Sequence, residues 1–196
     1  MRLIITRYGE TEENKAGIMM GHLHGTLSDV GIDQAKKVAE RLKSEKIDYI
    51  YSSDLARAAD TAKEIGKYHK KVPIEYVKDL RERNLGEFQG RKKSDFGWDI
   101  KDLVGTRVEP KTGETTEHMF QRAESFLKRV IRKHKHETVL LVGHNGIGKA
   151  LIAAITGKKS QDIPSIENLH NTSVSIFEID EDKNHKIHLF NCTKHL

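Results

Sequence analysis

The sequence contains little cysteine, little proline and no long apolar run. Among its 196 residues there are one cysteine, three prolines and one tryptophan. The single cysteine, Cys192, cannot form a disulfide within the chain, and a metal site built from several cysteines is excluded. No stretch approaches the ~18 consecutive apolar residues that cross a bilayer, and the strand-like start at residues 2–6 lacks the design of a signal peptide. We therefore expect a cytoplasmic protein with no membrane partner.

The length and charge of the chain indicate one globular domain with a general preference for anions. A chain of 196 residues supports one substantial core but is short for two, so a single domain over residues 1–196 is expected, as a monomer or homodimer. The net charge of +5 favours anionic partners. Nucleic acid is a weak alternative among them, because the basic residues are interleaved with acidic ones and no nucleic-acid motif is present. We expect no nucleic-acid partner.

Segments typical of strands and helices alternate along the chain. Apolar runs predict six strands, at residues 2–7, 48–53, 73–77, 138–142, 173–179 and 186–191. Apolar residues at helical spacing predict four helices, at residues 28–42, from a cap at Ser53 or Asp54 to Ile65, at 116–135 and at 147–155. This alternation predicts an α/β fold, a three-layer α/β/α sandwich with a mostly parallel central sheet and helices on both faces.

The first helix and the segment 81–115 carry further local signals. Ser28 is the expected N-cap of that helix, whose predicted buried face comprises Val30, Ile32, Ala35, Val38, Ala39 and Leu42. Glycine and proline interrupt residues 81–115, which predicts a lid-like region of long loops and short helices over one end of the sheet. Residues 180–184 are predicted to form the turn between the last two strands.

Polar residues come directly after three of the predicted strands, namely Arg7, the pair Ser52-Ser53 and His144. Because ligands of α/β sheets bind beyond the carboxyl ends of the strands, these residues can converge on one pocket. Arg7 offers a planar guanidinium that suits phosphate. Arg57 lies one turn into the next helix, near a helix N-terminus that favours anions. Glu82, among arginines in an irregular segment, is equally compatible with a loop salt bridge and with a functional carboxylate.

Taken as a set, four blocks of the sequence resemble the histidine phosphatase superfamily, also called the phosphoglycerate mutase-like family, over nearly the whole chain. The blocks are Arg7-Tyr8-Gly9-Glu10-Thr11 with Asn14, Ser52-Ser53 with Arg57, Leu80-Arg81-Glu82 through Gly90, and Val142-Gly143-His144. The first block departs from the family pattern at one position, where Tyr8 stands in place of the nucleophilic histidine.

This resemblance implies a phosphoglycerate mutase-like fold and a role for each matching residue. The phosphoryl group would be bound by Arg7, Asn14, Arg57 and His144. Glu82 would protonate the leaving oxygen and then activate the acceptor, while His144 would also take part in catalysis. Met20 and Gly21 lie where the family's loop approaches the substrate. No metal is implied, and His22, His24, His134 and His136 are expected to be exposed histidines without further ligands.

Tyr8 puts the activity of this chain in doubt. A phenol with a pKa near 10 must lose a proton before it can attack, and its oxygen lies farther from the backbone than an imidazole nitrogen. An engineered substitution, a natural pseudo-enzyme and a chance or selected variant all remain open. The residues that match elsewhere favour an active parent enzyme acting on a small phosphorylated metabolite.

Three functions follow from the resemblance. The first is a phosphomonoester hydrolase without cofactor, disabled here by Tyr8. The second is a phosphoglycerate mutase that needs 2,3-bisphosphoglycerate as primer, and the third is a module that binds phosphorylated ligands without catalysis. The modest cover at residues 91–113 favours the hydrolase, because a mutase must shield its phosphoenzyme from water.

Overall fold

A computed structural model describes residues 1–96, 109–180 and 184–196. The strands are β1 (Arg2–Arg7), β2 (Tyr49–Ser53), β3 (Ile74–Val77), β4 (Thr138–Gly143), β5 (Val174–Ile179) and β6 (His185–Cys192). The α-helices are α1 (Glu12–Lys15), α2 (Asp29–Leu42), α3 (Ala56–Gly66), α4 (Thr116–Lys133) and α5 (Asn145–Ile155). Short 3₁₀ helices lie at Lys78–Leu80, Gly86–Phe88, Lys93–Phe96 and Ser160–Ser165. No helix in these ranges is long and apolar enough to cross a membrane.

The six strands form one sheet in the order β3-β2-β4-β1-β5-β6. The pairs β3·β2, β2·β4 and β4·β1 are parallel, whereas β5 is antiparallel to both of its neighbours. The predicted mostly parallel sheet is therefore confirmed. The central strand β4 is buried along its whole length, as expected for a strand covered on both faces.

Helices cover both faces of this sheet, which confirms the predicted layers. On one face α4 and α5 pack against Leu3 and Ile5 of β1. On the other face α2 and α3 pack against Ile4 of the same strand. Successive side chains of a strand point to opposite faces, so the short apolar run of β1 contributes to both cores.

Three local expectations were wrong. Val30 and Ile32 are 52% and 40% exposed. The buried face of α2 consists instead of Gly31, Ala35, Val38, Ala39 and Leu42, and Val30 and Ile32 lie outside it. Neither Ser53 nor Asp54 caps α3, since Leu55 is the N-cap residue and no side chain bonds there. The last predicted helix begins at Asn145 instead of residue 147, directly after His144.

The segment 81–115 is irregular where it is described, with 3₁₀ helices at Gly86–Phe88 and Lys93–Phe96. It joins the loop that holds Met20 and Gly21, since Met19 and the residues Gly90 and Arg91 exchange backbone hydrogen bonds of 2.8 and 2.9 Å. Residues 97–108, part of the predicted lid, lie outside the described residues. Residues 181–183 of the predicted turn also lie outside the described residues. The residues that flank them are hydrogen bonded, with Asp180 N–H donating to the Asn184 carbonyl at 3.0 Å.

Candidate active site

The ends of three neighbouring strands bring the predicted polar residues together. Strand β4 lies between β2 and β1, and His144 follows it directly. The His144 Nε2 and Ser53 Oγ atoms are hydrogen bonded at 2.9 Å, which joins the ends of β4 and β2. Tyr8, after β1, donates its backbone N–H to the Gly143 carbonyl at 3.1 Å. The convergence expected at this edge is therefore present.

The turn after β1 is held by a close backbone approach. The Gly9 N–H donates to Thr61 Oγ1 of α3 at 3.2 Å. A Cβ atom on Gly9 would lie 2.3 Å from the Gly31 carbonyl oxygen of α2, a distance that no side chain tolerates. Glycine at both positions lets the turn sit directly on the start of α2, and this contact fixes Tyr8 over the strand ends.

The Tyr8 ring lies close to both of the predicted phosphate-binding arginines. Tyr8 is 4% exposed, and the guanidinium carbons of Arg7 and Arg57 are 5.1 and 4.9 Å from its ring centre. Asn14 Nδ2 donates to the phenol oxygen at 3.5 Å. Burial by itself raises the pKa of Tyr8, but the charges of Arg7 and Arg57 outweigh it, and the pKa is lowered. The site therefore favours a negative charge on this phenol.

Both arginines also fix the surrounding backbone. Arg57 is 1% exposed and donates to the carbonyls of Gly21 and His24 at 3.0 Å each, as well as to that of Leu23. Arg7 Nη1 donates to the Leu169 carbonyl at 2.7 Å. Burial lowers the pKa of Arg57, against the opposing charges of Tyr8 and Glu82. Arg57 thus places Gly21 of the predicted substrate loop beside Tyr8.

Three nitrogen atoms around Tyr8 are buried without a hydrogen-bond partner among the described residues. They are Nε of Arg7, Nε of Arg57 and Nδ1 of His144. Buried polar atoms are nearly always partnered, so three at one place call for an explanation. Burial and the charges of Arg57 and Arg7 lower the pKa of His144 well below its usual value, so its ring is neutral. The His144 ring centre is 5.2 Å from that of Tyr8.

Glu82 binds the N-terminus of α5, one residue beyond His144. Its Oε2 accepts from Gly146 N–H at 2.9 Å, and its Oε1 accepts from Ile147 N–H at 3.2 Å. Backbone N–H groups at a helix N-terminus favour a carboxylate. Arg122 and His22 contact the backbone carbonyl of Glu82, at 3.3 and 2.8 Å, and not its carboxylate. The backbone N–H of Arg83 also donates to Glu82 Oε1, at 2.9 Å, so the described contacts of this carboxylate are with backbone N–H groups and include no loop salt bridge.

A cavity of about 170 Å³ opens beside these residues. Its lining includes the predicted site residues Arg7, Tyr8, Asn14, Met20, Gly21, Arg57 and Glu82. His144 lines it only indirectly, through its contact with the Tyr8 ring. Sequence reasoning missed Asn145, Gly146 and Lys149, which also line the cavity. They line the cavity because α5 starts at Asn145, two residues before its predicted start. The Gly-His-Asn-Gly sequence at residues 143–146 was the feature that could have indicated them.

The histidines expected to be exposed differ among themselves. His24 and His136 are exposed, but His134 is 3% exposed and is hydrogen bonded to Tyr51 at 3.0 Å and to Glu137. His22 is half-buried against Glu82. The expectation was therefore wrong for these two, because each finds a partner across the fold. Within the described ranges, no group of three or more His, Cys, Asp or Glu side chains is arranged to hold a metal ion.

Comparison with known proteins identifies the family. The sequence model of the histidine phosphatase superfamily (branch 1) matches residues 3–193. The chain belongs to this superfamily. It is 33% identical to phosphoglycerate mutase-like protein 4 of Arabidopsis thaliana, over 99% of this chain and 86% of that protein. It is also 33% identical to the metal-independent phosphoserine phosphatase of the same plant, over 92% of this chain and 77% of the other.

The fold agrees with solved structures of the superfamily. The mycobacterial glucosyl-3-phosphoglycerate phosphatase, solved in complex with VO3, superposes with a TM-score of 0.88 at 26% identity and covers 98% of this chain and 99% of its own. The six-stranded sheet and its two helical layers are thus those of histidine phosphatases. Relatives of this chain include both phosphatases and mutases by name.

Proposed function

We propose that this chain has the site of a phosphomonoester hydrolase that works through a phosphohistidine, and that Tyr8 blocks this reaction. The observation that carries the proposal is the set of unpartnered nitrogen atoms of Arg7, Arg57 and His144 around the Tyr8 ring. Two cationic donors, one at the end of β1 and one in the first turn of α3, and one neutral donor after β4 suit the oxygens of a phosphoryl group. The phosphatases among the relatives, which act on small phosphorylated compounds by name, support the reaction class.

In the proposed reaction, Arg7 and Arg57 bind the phosphoryl oxygens and balance the charge that spreads over them in the transition state. His144 contributes through Nδ1. If the Ser53 hydroxyl donates to His144 Nε2, the ring proton of the neutral imidazole lies on Nδ1 and can be donated to a phosphoryl oxygen. Asn14, which contacts the Tyr8 oxygen, supplies a further donor.

The Tyr8→His variant should regain both chemical steps. The introduced imidazole attacks phosphorus, the ester P–O bond breaks, and the leaving oxygen takes a proton from the Glu82 carboxyl group. Water then attacks phosphorus and gives its proton to the Glu82 carboxylate as the P–N bond breaks, which releases inorganic phosphate. The N–H groups of Gly146 and Ile147 position Glu82 for both transfers.

Tyr8 opposes this reaction in three ways. Its phenolate is stabilised by Arg7 and Arg57, and it therefore takes up the positive charge that would otherwise bind a phosphoryl group. Its oxygen also reaches farther than an imidazole nitrogen would, so it overlaps the phosphoryl position instead of lying behind it. With Tyr8 in place the buried His144 is also covered by the phenol ring.

The test compares turnover of a general phosphomonoester by the chain as it stands and by Tyr8→His, with Tyr68→His as a control because Tyr68 is exposed. We expect turnover near background in the chain and in the control. Tyr8→His should release phosphate and form an acid-labile phosphoenzyme during turnover. Equal turnover well above background with and without Tyr8→His would contradict the proposal and require attack by tyrosine or by water.

Binding without turnover is the second candidate function, favoured by the intact surroundings of Tyr8. Arg7, Asn14 and Arg57 all lie against Tyr8, a residue that is a poor nucleophile. If Tyr8→His also binds phosphorylated ligands but releases no phosphate, this second function replaces the first.

A further inference from the structure

Lys149 is a buried cation that the proposed reaction leaves unused. It lies in α5, is 1% exposed, and its Nζ has one hydrogen bond in the described structure, at 3.4 Å to Asn168 Oδ1. That oxygen belongs to a neutral amide and already accepts from Asn145 Nδ2 at 3.1 Å. A buried ammonium without an anionic partner is unfavourable, because little compensates for its lost hydration.

The helix directs Lys149 into the same cavity as Glu82. Residues three and four positions apart share a face of a helix, so Lys149 lies beside Asn145 and Gly146, and all three line the cavity. The backbone N–H of Gly146 is one of those that bind the Glu82 carboxylate. Burial lowers the pKa of Lys149 to about 8, while the charge of Glu82 raises it. Lys149 is thus on the side of the leaving group, where Glu82 acts.

The other cations of the cavity are already engaged. Arg7 and Arg57 flank the phosphoryl position, and Arg83 donates to Glu109 at 3.3 Å and to Thr116 at 2.8 Å. Among the residues described, no carboxylate forms a hydrogen bond or an ion pair with Lys149 Nζ, although the charge of nearby Glu82 acts on it. An anionic group of the substrate would supply the missing partner, and the small cavity, about 170 Å³, requires that group to be close to the phosphate.

We propose that Lys149 selects compact phosphomonoesters whose leaving group carries a carboxylate, which it binds through Nζ. This inference rests on the proposed function, since it assumes that Arg7 and Arg57 hold the phosphoryl group. A carboxylate within a few bonds of the ester oxygen reaches Lys149 while Glu82 protonates that oxygen. Lys149 is then a specificity-determining residue, and the chemistry at phosphorus does not depend on it.

The test uses O-phosphoserine and O-phosphoethanolamine, which differ by one carboxylate, with the Tyr8→His variant of the full chain. We expect Tyr8→His to prefer phosphoserine. Adding Lys149→Met should lower kcat/KM for phosphoserine about 10- to 100-fold, the usual effect of losing a hydrogen bond to a charged group. The change should appear in KM, leave phosphoethanolamine nearly unaffected, and be largely reversed by Lys149→Arg.

Three outcomes are distinguishable. An equal loss for both substrates would overturn the proposal and make Lys149 a support for Glu82 or for the fold, and no loss for either would overturn it as well. If Tyr8→His turns over neither substrate, the proposed function fails instead. In that case calorimetry measures the binding of both compounds to Tyr8→Ala, with and without Lys149→Met. Lys149→Met should weaken the binding of phosphoserine alone only if Lys149 Nζ contacts the carboxylate.

Discussion

Gly146 donates its backbone N–H to Glu82 Oε2 at 2.9 Å, and the same residue leaves no room for a side chain beside that carboxylate. A Cβ atom on Gly146 would lie 2.3 Å from Glu82 Oε1. The carboxylate therefore approaches the start of α5 as closely as it does because position 146 is glycine. This contact places the proposed general acid within the cavity that Tyr8 and Arg57 line.

Gly146→Ala, made together with Tyr8→His, should lower kcat by about 100-fold, the order expected when a catalytic group is displaced by about 1 Å. Steady-state kinetics on a general phosphomonoester measures this. Gly148→Ala is the matched control in the same helix, since a Cβ there meets only the flexible end of Leu169. If the two alanine variants lose activity equally, the position of Glu82 is not the cause.

Tyr8 should lose its phenolic proton at lower pH than Tyr49 and Tyr68. The charges of Arg7 and Arg57 lower its pKa despite burial, whereas hydrogen bonds to carboxylates raise the pKa of Tyr49 and Tyr68. Tyrosinate absorbance against pH should show one early step, absent in Tyr8→Phe. Adding phosphate should shift this step to higher pH, because phosphate competes for both arginines. An unchanged titration in Tyr8→Phe would assign the step elsewhere.

The same titration has a consequence for stability. Between the lowered folded pKa of Tyr8 and its unfolded value near 10, the unfolded chain holds a proton that the folded chain has released. The free energy of unfolding should therefore rise with pH across this window, relative to Tyr8→Phe. The stabilisation that Tyr8 ionisation contributes is fully present above the pKa of Tyr8 in the unfolded chain. It is lost as the pH falls through the pKa of Tyr8 in the folded chain.

The sequence predicted the parts of the site that follow strands and missed those that depend on packing. Arg7, Ser53 and His144 come directly after apolar runs, so the parallel sheet brings them together by topology alone. Lys149 lies in a helix that is buried on nearly every side, so no polar face in its sequence pattern indicates where its side chain points. Val30 is the converse case, an apolar residue that is exposed, because a residue at its position in the first turn of α2 does not reach the core.

The preference of Tyr8→His for phosphoserine over phosphoethanolamine should fall as the pH rises through about 8. The Lys149 ammonium is charged below its lowered pKa of about 8 and neutral above it, and kcat/KM reports the free enzyme. Glu82, Arg7, Arg57, Arg83 and the histidine introduced at position 8 line the same cavity, but their effects on the phosphate ester are common to both substrates. The ratio of the two kcat/KM values isolates Lys149. In Lys149→Arg the ratio should stay constant with pH, and a parallel fall there would assign the transition to another group.

The last prediction concerns what Tyr8→His does with its phosphoenzyme. A mutase must hold an intermediate beside the phosphohistidine and keep water out while the acceptor hydroxyl collects the phosphoryl group. Here the cavity has a volume of about 170 Å³, which leaves little space for a bound intermediate to turn its second hydroxyl toward phosphorus, whereas a water molecule needs far less. We therefore expect Tyr8→His to release phosphate from 3-phosphoglycerate faster than it forms 2-phosphoglycerate.

The measurement follows free phosphate and the 2-phospho isomer together, with and without 2,3-bisphosphoglycerate as primer. Phosphate release that is unaffected by the primer is the expected result, because hydrolysis regenerates the free imidazole without it. A primer that produces rapid isomerisation with little free phosphate would instead make the restored enzyme a cofactor-dependent phosphoglycerate mutase.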